Sequence, residues 1–295
     1  MEIIDSVCEI PGLNISGTKT VSDHGFQRVR YSASPGTMDL REWVAAVCKT
    51  ILSRNGIPVE DVGIMVGISV GVSTDGNVTA APGICHSIQK ALDLTNAFVF
   101  DAFYTDWCTT LDIANSILLK QQSRFGLIVK AEMFSNFEVD EANGFILPDG
   151  VSVILFKASK FSSPVQHFYI EDRTVSEASV SYLPNQDLSN SSMKFQMKWD
   201  HDNDAVRSLK SKQLQIINDT RNDTEVMIAE NWFPFSDIEY SLPKVNGEEN
   251  LFLGMHYLPW RIQQEKLCYK GHERSAMALL FNPFLLEYIS LTFKI

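Results

Sequence analysis

"VFDAFYTDWCTTLDIANSIL", residues 99–118, is the stretch on which the fold turns. The apolar run at 97–103 reads as a buried strand. Residues 109–122 read as a helix, with Leu111, Ala114, Leu118 and Leu119 on one side. A strand that runs straight into a helix start is where many enzymes carry a nucleophile. This one offers Asp106 and Cys108, two residues apart.

The same alternation extends outward. Residues 40–56 place Trp43, Val44, Val47, Ile51 and Leu52 at helical spacing, with Gly56 as a stop. The nearly continuous apolar run at 62–70 reads as a strand buried on both faces. A helix is expected at 85–94, and further buried strands at 125–132 and 150–159. Strands alternating with helices make an α/β layered half with a mainly parallel sheet. A second half is expected from residue 161 to 295. It opens with a polar stretch at 161–205 that carries only short strand-like pieces. Helices at 205–219 and 259–268, a strand at 225–233 and a closing strand pair in 275–295 follow. The two halves use similar elements, yet no repeat is visible in the sequence.

Composition narrows the function. A chain of 295 residues with 45% hydrophobic content is long enough for one large core. A net charge of −11 argues against nucleic acid as a partner, because phosphate binding needs clustered Lys and Arg. Five cysteines, an odd number with no C-x-x-C pair, give no disulfide framework and no zinc motif. No metal or other cofactor is expected; the turns at 71–76 and 149–150 lack the spacing of a phosphate-binding glycine loop. No run reaches the roughly 18–20 apolar residues of a membrane span. "MEIIDSVCEI" has no signal-peptide pattern, so a cytoplasmic location without membrane association is expected.

The ordered series "NGIPVEDVGIMVGISV", "ICHSIQKALDLTNAFVFDAF", "FGLIVKAEMFS" and "GFILPDGVSVILF" resembles the β-ketoacyl-acyl carrier protein synthase III group of the thiolase superfamily. The likeness is good over residues 40–160 and loose elsewhere. Asp149-Gly150, between two apolar runs, is its most specific piece. It implies the αβαβα layered thiolase-like fold, made of two similar halves (1–160 and 161–295). Active members carry a cysteine five residues after the strand's aspartate, at a helix start where the dipole and free N–H groups stabilise a thiolate. A histidine and an asparagine from the second half complete the triad.

This sequence departs at all three positions. Five residues after Asp101 stands Asp106, suited to capping a helix. Cys108 comes two residues late, about 200° further around a helix. The Asp106 register keeps Ile113, Ser116 and Leu119 at the family's small or apolar helix positions. In "MIAENWFPF", Glu230 or Asn231 stands where the histidine is expected; in "FLGMHYLPW", Met255 stands at the asparagine, with His256 beside it. A carboxylate cannot replace the thiolate, since an acyl anhydride is too unstable a carrier.

The resemblance therefore implies no catalytic residue in this chain. It points to a noncatalytic branch of the group whose members pair with a Cys-His-Asn homologue that binds the acyl thioester, in 2-alkyl-4-quinolone or related secondary metabolism. The alternative is an independent acyltransferase using Cys108 in a shifted register. Other constellations have bland readings. Cys85 and His86 are neighbours on a helix and should point apart. An Asp106–Glu230 carboxylate pair needs both to face one cavity. His256 has no thiolate to activate. Met255 and Trp232 read as apolar fillers.

Overall fold

The computed structural model describes residues 1–10, 20–23, 26–29, 40–69, 84–103, 105–132, 150–160, 164–169, 180–184, 193–197, 204–220, 224–229, 256–269, 273–282 and 287–295. Its strands are β1 (Glu2–Glu9), β2 (Thr20–Asp23), β3 (Phe26–Val29), β4 (Val62–Ser69), β5 (Phe98–Phe103), β6 (Phe125–Glu132), β7 (Gly150–Lys157), β8 (Gln166–Tyr169), β9 (Val180–Pro184), β10 (Met193–Met197), β11 (Val226–Ala229), β12 (Ser275–Asn282) and β13 (Glu287–Lys294). Its helices are α1 (Leu40–Arg54), α2 (Ile84–Leu92), α3 (Trp107–Gln121), α4 (Asp204–Thr220) and α5 (Tyr257–Cys268).

Strands β4, β6 and β7 read as unbroken apolar runs because helices cover both of their faces. Val7, Met65, Leu127, Val129, Val153 and Leu155 turn towards α1 and α2. The alternate residues Ile64, Val66, Ile128, Ile154 and Phe156 turn the other way. There they meet Trp107, Leu111 and Leu118 of α3 and Leu258 and Ile262 of α5. Ala276, Ala278, Leu280, Ile289 and Leu291 of β12 and β13 complete the same cluster. Helices α3 and α5 thus form a middle layer between two sheets.

Strand pairing reveals a repeat that the sequence hides. In the first half the order is β1-β7-β6-β4-β5; in the second it is β8-β13-β12-β11. Each half runs antiparallel, antiparallel, then parallel along this order. The central helices α3 and α5 each precede an antiparallel hairpin pair, β6–β7 and β12–β13. The two sheets join into one hydrogen-bonded nine-stranded sheet where β1 pairs parallel with β13, Glu2 opposite Lys294. Next to it β1 has a bulge between Ile3 and Asp5. Such a bulge bends and twists the strand.

Helix ends follow local chemistry. Gly56 has φ +63°, and the amides of Gly56 and Ile57 close back on the carbonyls of Ser53 and Leu52, a Schellman stop for α1. Helix α3 starts at Trp107, two residues before the apolar spacing alone suggests, because Asp106 caps it. Helix α5 starts at Tyr257 and carries Pro259 in its first turn, where no intrahelical N–H is needed. One expectation for α3 needs correction. Leu119 is 39% exposed, since it lies about 100° further round the helix than Leu118 and falls off the buried side. Ile113 (46% exposed) and Ser116 also face outward.

Candidate functional site

The site lies where the middle-layer helices begin, at the carboxyl ends of β4, β5 and β6. Asp106 is the N-cap of α3. Its extended backbone lets Oδ1 accept the Thr109 amide at 2.9 Å, and its carbonyl accepts the Thr110 hydroxyl at 2.7 Å. Burial pushes the Asp106 carboxyl above its ordinary value, opposed by hydrogen bonds from the amides of Thr109 and Cys108. Cys108 lies wholly inside the middle-layer cluster, among apolar side chains. The structure does not bring it to a surface. Trp107, between the two, is also buried in that cluster.

At the start of α5 stands His256, buried, with Nδ1 2.7 Å from the Ser152 hydroxyl of β7. Cys8 of β1 and Lys130 of β6 sit directly opposite Ser152 in the two ladders, so all three point to the same face. Lys130 is wholly buried there. Burial, and then the Lys130 charge, hold the His256 imidazole down to a pKa of about 3. It is a neutral ring. The Cys8 thiol is pushed up to about 12 by burial and is no nucleophile. Lys130 and Ser152 were not singled out from the sequence. The available signal was a lysine in phase with Ile128 inside the run "FGLIVKAE", on a face that should be apolar.

A third polar group flanks β5. Asp101 accepts the Cys85 amide at 3.3 Å and faces His86 Nδ1 at 4.0 Å. Cys85 and His86, expected to point apart, therefore both meet one carboxylate at the head of α2. The missing side chain of Gly67 makes room for Asp101 and for the Cys85 sulfur. Burial, followed by the Asp101 charge, holds the Cys85 thiol well above its ordinary pKa. Cys85 is inert. Asp101 is itself raised by burial, against its hydrogen bonds to Cys85.

Glu230, Asn231, Trp232 and Met255 lie outside the described residues, as do the segments 71–76 and 137–149. Among the described residues, no group of three or more His, Cys, Asp or Glu side chains is placed to hold a metal ion. No described helix is long and apolar enough to cross a membrane.

No family model matches the chain. Over 106 residues it is 28% identical to the 2-heptyl-4(1H)-quinolone synthase subunit PqsB of Pseudomonas aeruginosa, covering 35% of this chain and 38% of that one. Over 138 residues it is 27% identical to β-ketoacyl-[acyl-carrier-protein] synthase III of Roseobacter denitrificans, covering 45% and 41%. These matches span about two fifths of the relatives' own lengths. In structure the chain superposes on the priming β-ketosynthase of the R1128 polyketide pathway with a TM-score of 0.70 at 15% identity, covering 100% of this chain and 96% of the other. The chain has the thiolase-like layered fold of the ketoacyl synthase III enzymes, and in sequence it is similar to PqsB and to a synthase III.

Proposed function

We propose that this protein is a noncatalytic, triad-deficient ketoacyl synthase III-like subunit. It pairs with a catalytic Cys-His-Asn homologue, a PqsC-like subunit, to form a heteromeric condensing acyltransferase. The partner binds the acyl thioester, in 2-alkyl-4-quinolone or a related secondary-metabolite pathway. The observation that carries this reading is Asp106. The sequence register puts Asp106 at the family's thiolate position, and this residue is a buried carboxylate engaged in capping α3. The similarity to PqsB, itself a synthase subunit, supports the pairing.

Strand β5 offers a place for the partner. Among the described residues it pairs with β4 alone, so one side of its backbone ladder is open. Phe98 on this edge is 51% exposed, and none of residues 98–102 is buried. Natural edges carry Lys, Pro or a bulge to discourage pairing. Here the ladder with β4 is regular, and the one charge, Asp101, is turned to α2.

The test is the intact mass of this chain after incubation with medium-chain acyl-CoA, alone and mixed with a triad-bearing homologue of the same pathway. The expected result is an acyl adduct on the partner and none here. An adduct mapping to Cys108 would overturn the proposal and make the chain an acyltransferase with a displaced nucleophile.

A further inference from the structure

The head of α5 is fastened to the first sheet by a compact set of polar contacts. His256 Nδ1 meets the Ser152 hydroxyl at 2.7 Å. The His256 carbonyl accepts the Cys8 thiol at 3.8 Å, and the Pro259 carbonyl accepts the Ser6 hydroxyl at 2.8 Å. The Cys8 amide donates to Gln263 Oε1 at 3.1 Å. His256 is 2% exposed, and its Nε2 has no hydrogen-bond partner among the described residues. Nε2 faces the bare α-carbon of Gly150, where an added methyl would lie 3.2 Å from it.

Among the described residues no carboxylate faces the His256 ring. From β6 the facing charge is Lys130. From β7 the neighbours are Ser152 and Gly150, and from β1 it is Cys8. The Glu9 carboxylate is itself bound to Trp43 Nε1 at 2.6 Å. Within α5 the nearest charges, Arg261 and Glu265, are paired with each other at 2.7 Å. The positive end of the α5 dipole adds to the Lys130 charge.

We propose that His256 is an acid-sensitive latch: as a neutral ring it holds the first turn of α5 against β7 and β1, and its protonation drives that turn out as a local opening. In the closed state burial and Lys130 keep the ring neutral down to about pH 3. Once the turn has swung into water, the ring titrates at about 6.5, the ordinary histidine value. Between those limits each unit of acidification favours the open state by about tenfold. The turn that moves directly follows Met255 in the sequence, and the latch acts on it without doing chemistry.

Amide hydrogen exchange of the full chain between pH 6 and pH 4, corrected for intrinsic rates, tests the latch. The opening constant read at Ile262 and its neighbours in α5 should rise about tenfold per pH unit. Amides in α1 should not follow, and His256→Gln should flatten the slope in α5. An equal slope in the variant overturns the latch, as does α5 exchange that merely tracks α1. If His256→Gln fails to fold, the ring protons of His256 followed by NMR in the wild type decide. A ring that titrates near pH 6.5 with α5 still protected sinks the idea.

Discussion

At the scale of one residue, Asp106 holds the start of α3. A helix start has unpaired N–H groups, and the Asp106 carboxylate satisfies one of them at the Thr109 amide. On the proposed reading, aspartate in place of the family's cysteine keeps α3 capped and provides no carrier for an acyl group. Asp106→Ala should cost about 1 kcal/mol in urea-unfolding free energy, the ordinary value of a lost cap. Asp106→Asn keeps the acceptor, and its effect should depend on pH. Burial raises the native pKa of Asp106 above the unfolded value of 3.8. The native state then holds its proton to higher pH than the unfolded chain. The stability linked to this group is fully present below pH 3.8 and is lost as pH rises through the native value. Asp106→Asn removes that loss, so the stability difference from wild type should shift in favour of the variant between pH 3 and neutrality. A difference that does not change with pH would mean that the carboxyl titrates alike in both states.

Whole elements depend on groups further from the site. At the far end of α5, Glu265 is buried between Arg261 at 2.7 Å and Arg274 at 3.1 Å, and Arg274 also lies 4.2 Å over the Tyr269 ring. Removing the carboxylate while leaving two cations in a dry site costs far more than the pair contributes when intact. Glu265→Ala should destabilise the protein by about 3–5 kcal/mol in chemical denaturation. A loss below about 1 kcal/mol would place the network in water. The elements themselves were legible in the sequence wherever both faces of a strand are covered, as in β4, β6 and β7. Boundaries were less legible. The capping bond of Asp106 extends α3 to Trp107, and a cap is geometry that apolar spacing does not encode. Leu119 misled because hydrophobic identity says nothing about which side of a helix the rest of the fold covers.

At the scale of the molecule, what stayed hidden was the repeat. Both halves thread their strands in one pairing order, yet they share no visible sequence, since burial selects apolar residues without selecting which ones. Strand pairing is a long-range property, and a linear reading sees only each strand's own pattern. For the same reason spacing can flag Lys130 by itself but not the polar row it forms with Ser152 and Cys8, which joins three strands from separate parts of the chain. The resemblance located Asp106, Glu230 and Met255, but only the first has a described environment. Knowing the pairing order turns the proposed assembly into a question about one edge. If the partner adds a strand to β5, a lysine at its exposed aromatic should act as natural edge charges do and oppose further pairing. Phe98→Lys should leave the unfolding free energy within about 0.5 kcal/mol of wild type, because the site is half in water. It should weaken association with the triad-bearing homologue by about tenfold or more, measured by light scattering across a dilution series. Strong pairing by the variant would move the interface away from β5 while leaving the subunit proposal intact. Wild-type chain that never pairs would reject the subunit proposal itself.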